Sequence, residues 1–238
     1  MKRTSEIQLL PIYACILTGL VFLAYWGSNA ITAFHENEPI SNGSVVIIDA
    51  GHGGFDGGAT SYSGILESQL NLEISNRLND LMHLLGMPTI MIRTEDVSVH
   101  TNGDTIAAKK VSDLKNRVKL VNTQKDCILV SIHQNYFTDG RYDGAQVFYS
   151  ANTESRSLAE TMQKTLAVTL DRNNSRKPKK ANGIFLMENI NTTGILIECG
   201  FLSNPSEDKL LQQPDYQKKL SAVIASVINQ HIYENPIA

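Results

Sequence analysis

The sequence predicts an α/β fold: a single domain with a mainly parallel central sheet of about six strands flanked by helices, preceded by one N-terminal membrane helix. Three observations carry this expectation. From Val45 onward, short apolar runs alternate with helical patterns, as they do where strands are joined by crossover helices. The 238 residues suffice for one domain of about 200 residues plus a short additional segment. Ile7 to Trp26 is free of charge and close to the ~20 residues that cross a bilayer.

Lys2 and Arg3 precede that apolar stretch, and Tyr25 and Trp26 close it. The basic pair predicts a cytoplasmic N-terminus for residues 1–6, with aromatic residues at the far interface. Residues 7–26 are therefore read as a membrane anchor, with Ser28-Asn29-Ala30 leaving open a cleaved signal sequence. Both readings put the domain outside the cytoplasm, membrane-anchored or secreted. Residues 27–43 are polar, contain Pro and Gly, and read as a linker to a domain over 44–238.

Within that domain the strand candidates are Val45–Ile48, Thr89–Ile92, Ile128–Ile132, Ala145–Tyr149 and Ile195–Ile197, with Ile184–Met187 a weaker sixth. Leu70, Ile74, Leu78, Leu81 and Leu85 recur at three and four and predict a helix that stops at Gly86-Met87-Pro88. Ser112 or Asp113 caps a second helix carrying Leu114, Val118 and Val121. Leu158, Met162, Leu166 and Leu170 mark a third. The last begins near Pro214, with Leu220, Val223, Ile224, Val227 and Ile228 facing inward. Two segments break the alternation. Val97–Lys110 reads as a long surface loop, and Arg172–Lys180 as a basic loop that is either solvated or a docking patch.

The net charge is −3, and removing the first 30 residues, which carry Lys2, Arg3 and Glu6, leaves −4. This gives no electrostatic footprint for nucleic acid. The glycine cluster at 51–58 lacks the third glycine of a dinucleotide fingerprint, and no phosphate-loop motif occurs. Outside the anchor, Cys127 and Cys199 lie in apolar contexts typical of small core hydrophobes. A Cys127–Cys199 disulfide is the alternative that an exported protein permits.

Four residues stand where strands end or helices begin. His52 follows the first strand, in Asp49-Ala50-Gly51-His52. Glu67 starts the first long helix. His133 ends Ile128–Ile132, and Glu198 ends Ile195–Ile197. Strand ends of a parallel sheet meet along one edge, the usual seat of chemistry in such folds. Two histidines and two carboxylates meeting there supply what a catalytic zinc requires: protein ligands, an open position and a carboxylate to handle protons. Each residue also has an ordinary explanation, such as a helix-dipole role for Glu67. Glu198 resists that reading, since a carboxylate after an apolar strand must be paired or metal-bound. Of the remaining histidines only His100 is retained, as a lesser candidate.

Asp49-Ala50-Gly51-His52-Gly53-Gly54, Glu67, Ser131-Ile132-His133-Gln134-Asn135 and Ile197-Glu198-Cys199-Gly200-Phe201-Leu202-Ser203-Asn204-Pro205 together resemble the zinc-dependent N-acetylmuramoyl-L-alanine amidases of the Amidase_3 type. The resemblance spans about residues 44–233, and within the family it is nearest to sporulation amidases with a short N-terminal membrane segment. It implies zinc held by His52, Glu67 and His133, and Glu198 as the catalytic carboxylate. Asn135, in the same motif as His133, becomes the candidate substrate-binding residue. The implied reaction is hydrolysis of the amide between N-acetylmuramic acid and L-alanine in peptidoglycan. For a sporulation member, this is a step toward muramic-δ-lactam in spore cortex and toward germination competence. An exported activator protein is a further implied partner, with 97–110 and 172–180 as its docking surfaces. Gln134, Cys199 and Ser68-Gln69 depart from the commoner family pattern without removing a ligand. A zinc peptidase acting on stem peptides and a non-catalytic wall-binding protein are the competing readings.

Overall fold

A computed structural model describes residues 44–235. The membrane segment expected over 7–26 and the linker over 27–43 lie outside the described residues. Among the described residues no helix is long and apolar enough to cross a membrane.

Six strands and six helices follow in the order β1 (Val45–Ala50), α1 (Glu67–Leu84), β2 (Thr89–Met91), α2 (Ile106–Thr123), β3 (Cys127–Asn135), β4 (Gln146–Tyr149), α3 (Thr153–Leu170), β5 (Lys179–Lys180), α4 (Phe185–Asn189), β6 (Thr193–Phe201), α5 (Pro205–Leu211) and α6 (Pro214–Glu234). They form one six-stranded sheet in the order β2-β1-β3-β6-β4-β5. β2, β1, β3 and β6 run parallel to one another, whereas β4 pairs antiparallel with β6 and carries β5 parallel to itself. The sheet is therefore mixed, which corrects the expectation of a mainly parallel one. The physical reason lies in the connection after β3. Residues 136–145 hold no helix, and a return to the start of a parallel strand takes a dozen or more residues. The chain therefore enters β4 from the edge it has just reached.

Two apolar layers cover the sheet. On one face α1, α3 and α6 bury Leu70, Ile74, Leu78, Leu158, Met162, Leu166, Leu220 and Ile224 against Val46, Ile48, Val130, Ile132, Ile195 and Ile197. On the other, α2 and α4 bury Val121, Leu186 and Met187 against Ile47, Leu129 and Leu196. The alternation of 46/48 with 47, and of 130/132 with 129, is the period-two pattern of a strand covered on both faces. Cys127 and Cys199 are both free and lie in different layers, so each is a core side chain rather than half of a disulfide.

Several boundaries differ from the sequence expectation. The α1 stripe ends at Met82, leaving Leu85 exposed. α2 starts six residues before Ser112, capped by Thr105, whose side chain accepts from the Ala108 N–H. The surface loop is therefore confined to 97–105. Ile184–Met187 does not form a strand; Phe185 opens the short helix α4, and the sixth strand is Lys179–Lys180 inside the basic stretch. β3 and β6 also continue past His133 and Glu198, to Asn135 and Phe201.

Candidate metal centre

The centre is built on the turn after β1. Asp49 is buried beneath it, with its Oδ1 accepting from Arg117 Nη1 and its Oδ2 accepting from Ser131 Oγ at 2.7 Å. Arg117, on α2, also donates to the carbonyls of Ala50 at 3.0 Å and His52 at 2.7 Å, and its Nε donates to Asp113 at 2.6 Å. Arg93, two residues past β2, donates to the carbonyls of Ala50 at 2.8 Å, Gly51 at 3.0 Å and Ser68 at 2.8 Å. Two buried guanidinium groups thus hold three successive carbonyls. Their restraint explains His52, which sits at φ 61°, a left-handed backbone that a bulky residue adopts only where its surroundings impose it. Burial raises the Asp49 carboxyl, but the Arg117 charge, the His133 imidazole and the Ser131 hydroxyl outweigh it and bring it below the ordinary carboxylate range.

The turn presents His52 to Glu67, the first residue of α1. His52 Nε2 lies 3.2 Å from Glu67 Oε2, and His133 Nδ1 lies 3.0 Å from Glu67 Oε1. The two rings meet edge to face, with centroids 5.0 Å apart. Glu67 is fixed by the Ala59 and Gln134 backbone N–H groups, at 3.0 and 3.2 Å, and by Asn71 Nδ2 at 3.2 Å. The second nitrogen of His52, Nδ1, is 3.0 Å from Asp56 Oδ2. Asp56 in turn pairs with Lys110 at 2.8 Å. Two glycines make this closeness possible. A Cβ on Gly51 would overlap the His133 ring, and one on Gly58 would overlap Glu67 and His52.

One ligand atom each from His52, Glu67 and His133 falls within 4.8 Å of the others, so the three residues suit a metal ion. Two imidazoles and a carboxylate form a donor set for a borderline divalent cation with an open coordination position. Asp56 behind His52 is the carboxylate that commonly orients a ligating imidazole. Burial lowers the His52 imidazole, but hydrogen bonds and charges from Glu67 and Asp56 more than reverse this and lift it to about 9. Glu67 is driven the other way, well below the usual carboxylate range, because the two histidines outweigh its burial. The cluster holds its negative charge and attracts a cation, whether a proton or a metal.

Glu198 completes the arrangement. It lies in register with His133 on the neighbouring strand, so both side chains leave the same face of the sheet. Its Oε2 is buried and has no hydrogen-bond partner among the described residues. Burial raises its carboxyl, His133 and His52 lower it, Glu67 raises it, and the balance stands near 7. An orphaned buried oxygen beside a cage suited to a cation calls for a partner that the protein's own groups do not supply.

The family profile described as N-acetylmuramoyl-L-alanine amidase matches residues 46–230. The chain belongs to the N-acetylmuramoyl-L-alanine amidase family. It is 38% identical over 198 residues to the germination-specific N-acetylmuramoyl-L-alanine amidase of Bacillus subtilis, covering 82% of each chain. Its fold matches the CwlD amidase of Clostridioides difficile, solved in complex with the GerS lipoprotein. That match has a TM-score of 0.77 and 35% identity, over 80% of this chain and 99% of that one. An N-acetylmuramoyl-L-alanine amidase from Clostridium difficile 630 matches with a TM-score of 0.70 at 31% identity, over 81% and 98% of the two chains. Being an amidase, the protein is an enzyme.

All four principal residues expected from the amidase sequence, His52, Glu67, His133 and Glu198, meet at one edge of the sheet. Asn135 ends β3, its backbone carbonyl accepting from Leu202 N–H at 2.8 Å. His100 is elsewhere, packed edge to face on Phe55 and bonded to Ser98. The 97–105 loop is tied to α2 through Asp113, Ser112 and Asn116. Sequence reading missed Arg93, Arg117, Asp56 and Asn71. Arg117 left a trace, since it sits beside Val118 and three residues from Leu114, on the face read as apolar.

Two outcomes follow from this geometry. Gly51→Ala should push the His133 ring away and weaken metal binding by at least about tenfold, as loss of a supporting contact commonly does. Metal titration checks it, and wild-type affinity would show that the close approach is dispensable. Asp49 has its folded pKa below its unfolded value of about 3.9, so its contribution is full above that pH and lost as pH falls through the folded value. Asp49→Asn should cost about 1.5–3 kcal/mol near neutrality, since buried Arg117 then keeps only Asp113 as a carboxylate partner. Urea unfolding across pH should show the gap to wild type narrowing on acidification, and a constant gap would contradict the assignment.

Proposed function

We propose that this protein is a zinc-dependent peptidoglycan amidase that cleaves the bond between N-acetylmuramic acid and L-alanine, with Glu198 as the proton-transferring group. The observation that supports it most is the pairing in register of His133 with a partnerless Glu198 beside the His52–Glu67–His133 cage. Zinc held by His52, Glu67 and His133 would supply Lewis acidity to the scissile carbonyl and to a water.

The chain's own residues do the rest. Asp56 keeps His52 oriented through Nδ1, leaving Nε2 for the metal. Glu198, with a carboxyl poised near 7, can take a proton from the attacking water and return it to the departing L-alanine amine. An amine leaves poorly unless protonated, so one carboxyl that works in both directions is what the reaction needs. Asn135, at the end of the same strand as His133, is the residue we assign to holding the glycan or peptide.

The germination-specific relative supports a role in spore cortex, where peptide removal precedes muramic-δ-lactam formation. A relative solved with a lipoprotein partner supports an exported activator here. Residues 7–26 would tether the enzyme outside the cytoplasm, in the spore envelope, unless the segment is cleaved. The purified protein, given zinc and peptidoglycan sacculi, should expose new N-terminal L-alanine. Glu198→Gln should keep the metal and lose about 10²–10⁴-fold in turnover, whereas His52→Ala and His133→Ala should lose both. Release of D-alanine or a diamino acid would instead identify a stem peptidase. A fully active Glu198→Gln would refute the proton-transfer role.

A further inference from the structure

The catalytic edge continues past Glu198 into a feature that the metal chemistry does not use. Phe201, three residues further along β6, is covered by the Arg176 guanidinium, 4.8 Å from its ring centroid, and by Tyr142, stacked at 6.1 Å. Phe137 meets Tyr142 edge to face at 5.0 Å. Phe201 is buried, whereas Tyr142 and Phe137 are about half exposed, at 47% and 50%. The ladder is held in place from below. Glu207 accepts from the N–H groups of Phe201 at 2.7 Å and Gly144 at 3.0 Å, and Ser203 Oγ accepts from the Phe137 N–H at 3.2 Å.

The Arg176 side chain is fixed by its ring stack and by one hydrogen bond, Nε to the Asp143 carbonyl at 2.9 Å. Its two terminal NH₂ groups make no hydrogen bond or ion pair among the described residues. A guanidinium with a stacked face, an anchored Nε and unspent terminal donors is preorganised for a carboxylate. Four further basic residues, Arg172, Lys177, Lys179 and Lys180, share its stretch of sequence, in a chain whose net charge is −3. β6 bulges here, with Glu198 opposite His133 and Phe201 opposite Asn135. Glu198 and Phe201 therefore stand about two strand steps, about 7 Å, apart, and Arg176 lies one stack beyond. An extended peptide advances about 3.3–3.6 Å per residue, so a ligand leaving the catalytic centre along this edge reaches Arg176 with its third or fourth residue.

Resting on the amidase reading, we propose that Arg176, braced on Phe201, binds a free carboxylate of the acidic stem peptide a few residues beyond the scissile amide. The enzyme then prefers stems whose acidic groups are free over stems in which they are amidated. A charge-assisted pair of this kind contributes about tenfold or more to affinity.

The test compares soluble muramoyl tripeptides that differ only in whether the stem carboxylates are free or amidated, with N-terminal L-alanine release as the readout. For the wild type, amidation should raise KM about tenfold with kcat little changed. Arg176→Gln should raise KM by a similar factor on the free acid and leave the amidated substrate unaffected, with Arg176→Lys recovering part of the loss. Equal KM for the two substrates with wild-type enzyme would overturn the carboxylate site while leaving the amidase reading intact, and needs no variant to fold. An equal KM rise on both substrates in Arg176→Gln would also overturn it, in favour of a purely structural brace. Absence of L-alanine release from either substrate by the zinc-loaded wild type would overturn both.

Discussion

The buried pair of Asp49 and Arg117 is the constraint on which the rest of the site depends. Taking both charges out of water is expensive, and a buried ion pair is seldom retained for stability alone. Here Arg117 has a second task. After bonding Asp49 and Asp113, its remaining donors hold the carbonyls of Ala50 and His52, while Arg93 takes those of Ala50 and Gly51. Five-donor guanidinium forks do this well, and a lysine could not. The chain is thereby bent after β1 and His52 is kept in its left-handed conformation, with its imidazole against Glu67.

Everything else converges on that fixed point by topology. β1, β3 and β6 run parallel, so their ends share one edge and bring His52, His133 and Glu198 together from positions far apart in the chain. α1 starts at the same edge and offers Glu67 in its first turn. β4 reverses direction, and this matters for the site. Residues 136–145 and the segment before β5 come to the same edge as His52, Glu67 and His133, where they supply Tyr142, Phe137 and Arg176.

The clustered residues His52, Glu67, His133 and Glu198 were legible in the sequence because each follows an apolar run or opens a periodic helix. The core was legible for the same reason: Leu70, Ile74 and Leu78, like Leu220, Ile224 and Ile228, repeat at helical spacing. Strand direction was not. The apolar run at 145–149 signals a strand but carries no polarity, which is set instead by the helix-free connection before it. β5 is a two-residue edge of lysines, hydrophilic as exposed edges often are, and so looked like loop. Thr105 starts α2 through one side-chain bond that hydrophobic periodicity does not register. Arg93 and Arg117 were hidden because the contacts that tie them to the site are to main-chain carbonyls and to an aspartate 68 residues away, and the Asp113–Arg117 pair at i,i+4 reads as an ordinary helix pair.

Zinc affinity of Arg117→Lys tests the central claim, that the guanidinium clamp preforms the proposed metal site. The replacement keeps the charge opposite Asp49 but cannot span the Ala50 and His52 carbonyls. Competition with a chromophoric chelator, on protein that still melts cooperatively, should show affinity reduced about 10–100-fold, as for loss of other outer supports of a metal centre. A folded Arg117→Lys protein that binds zinc as tightly as the wild type would contradict the account, leaving the ion itself as the organiser of its ligands.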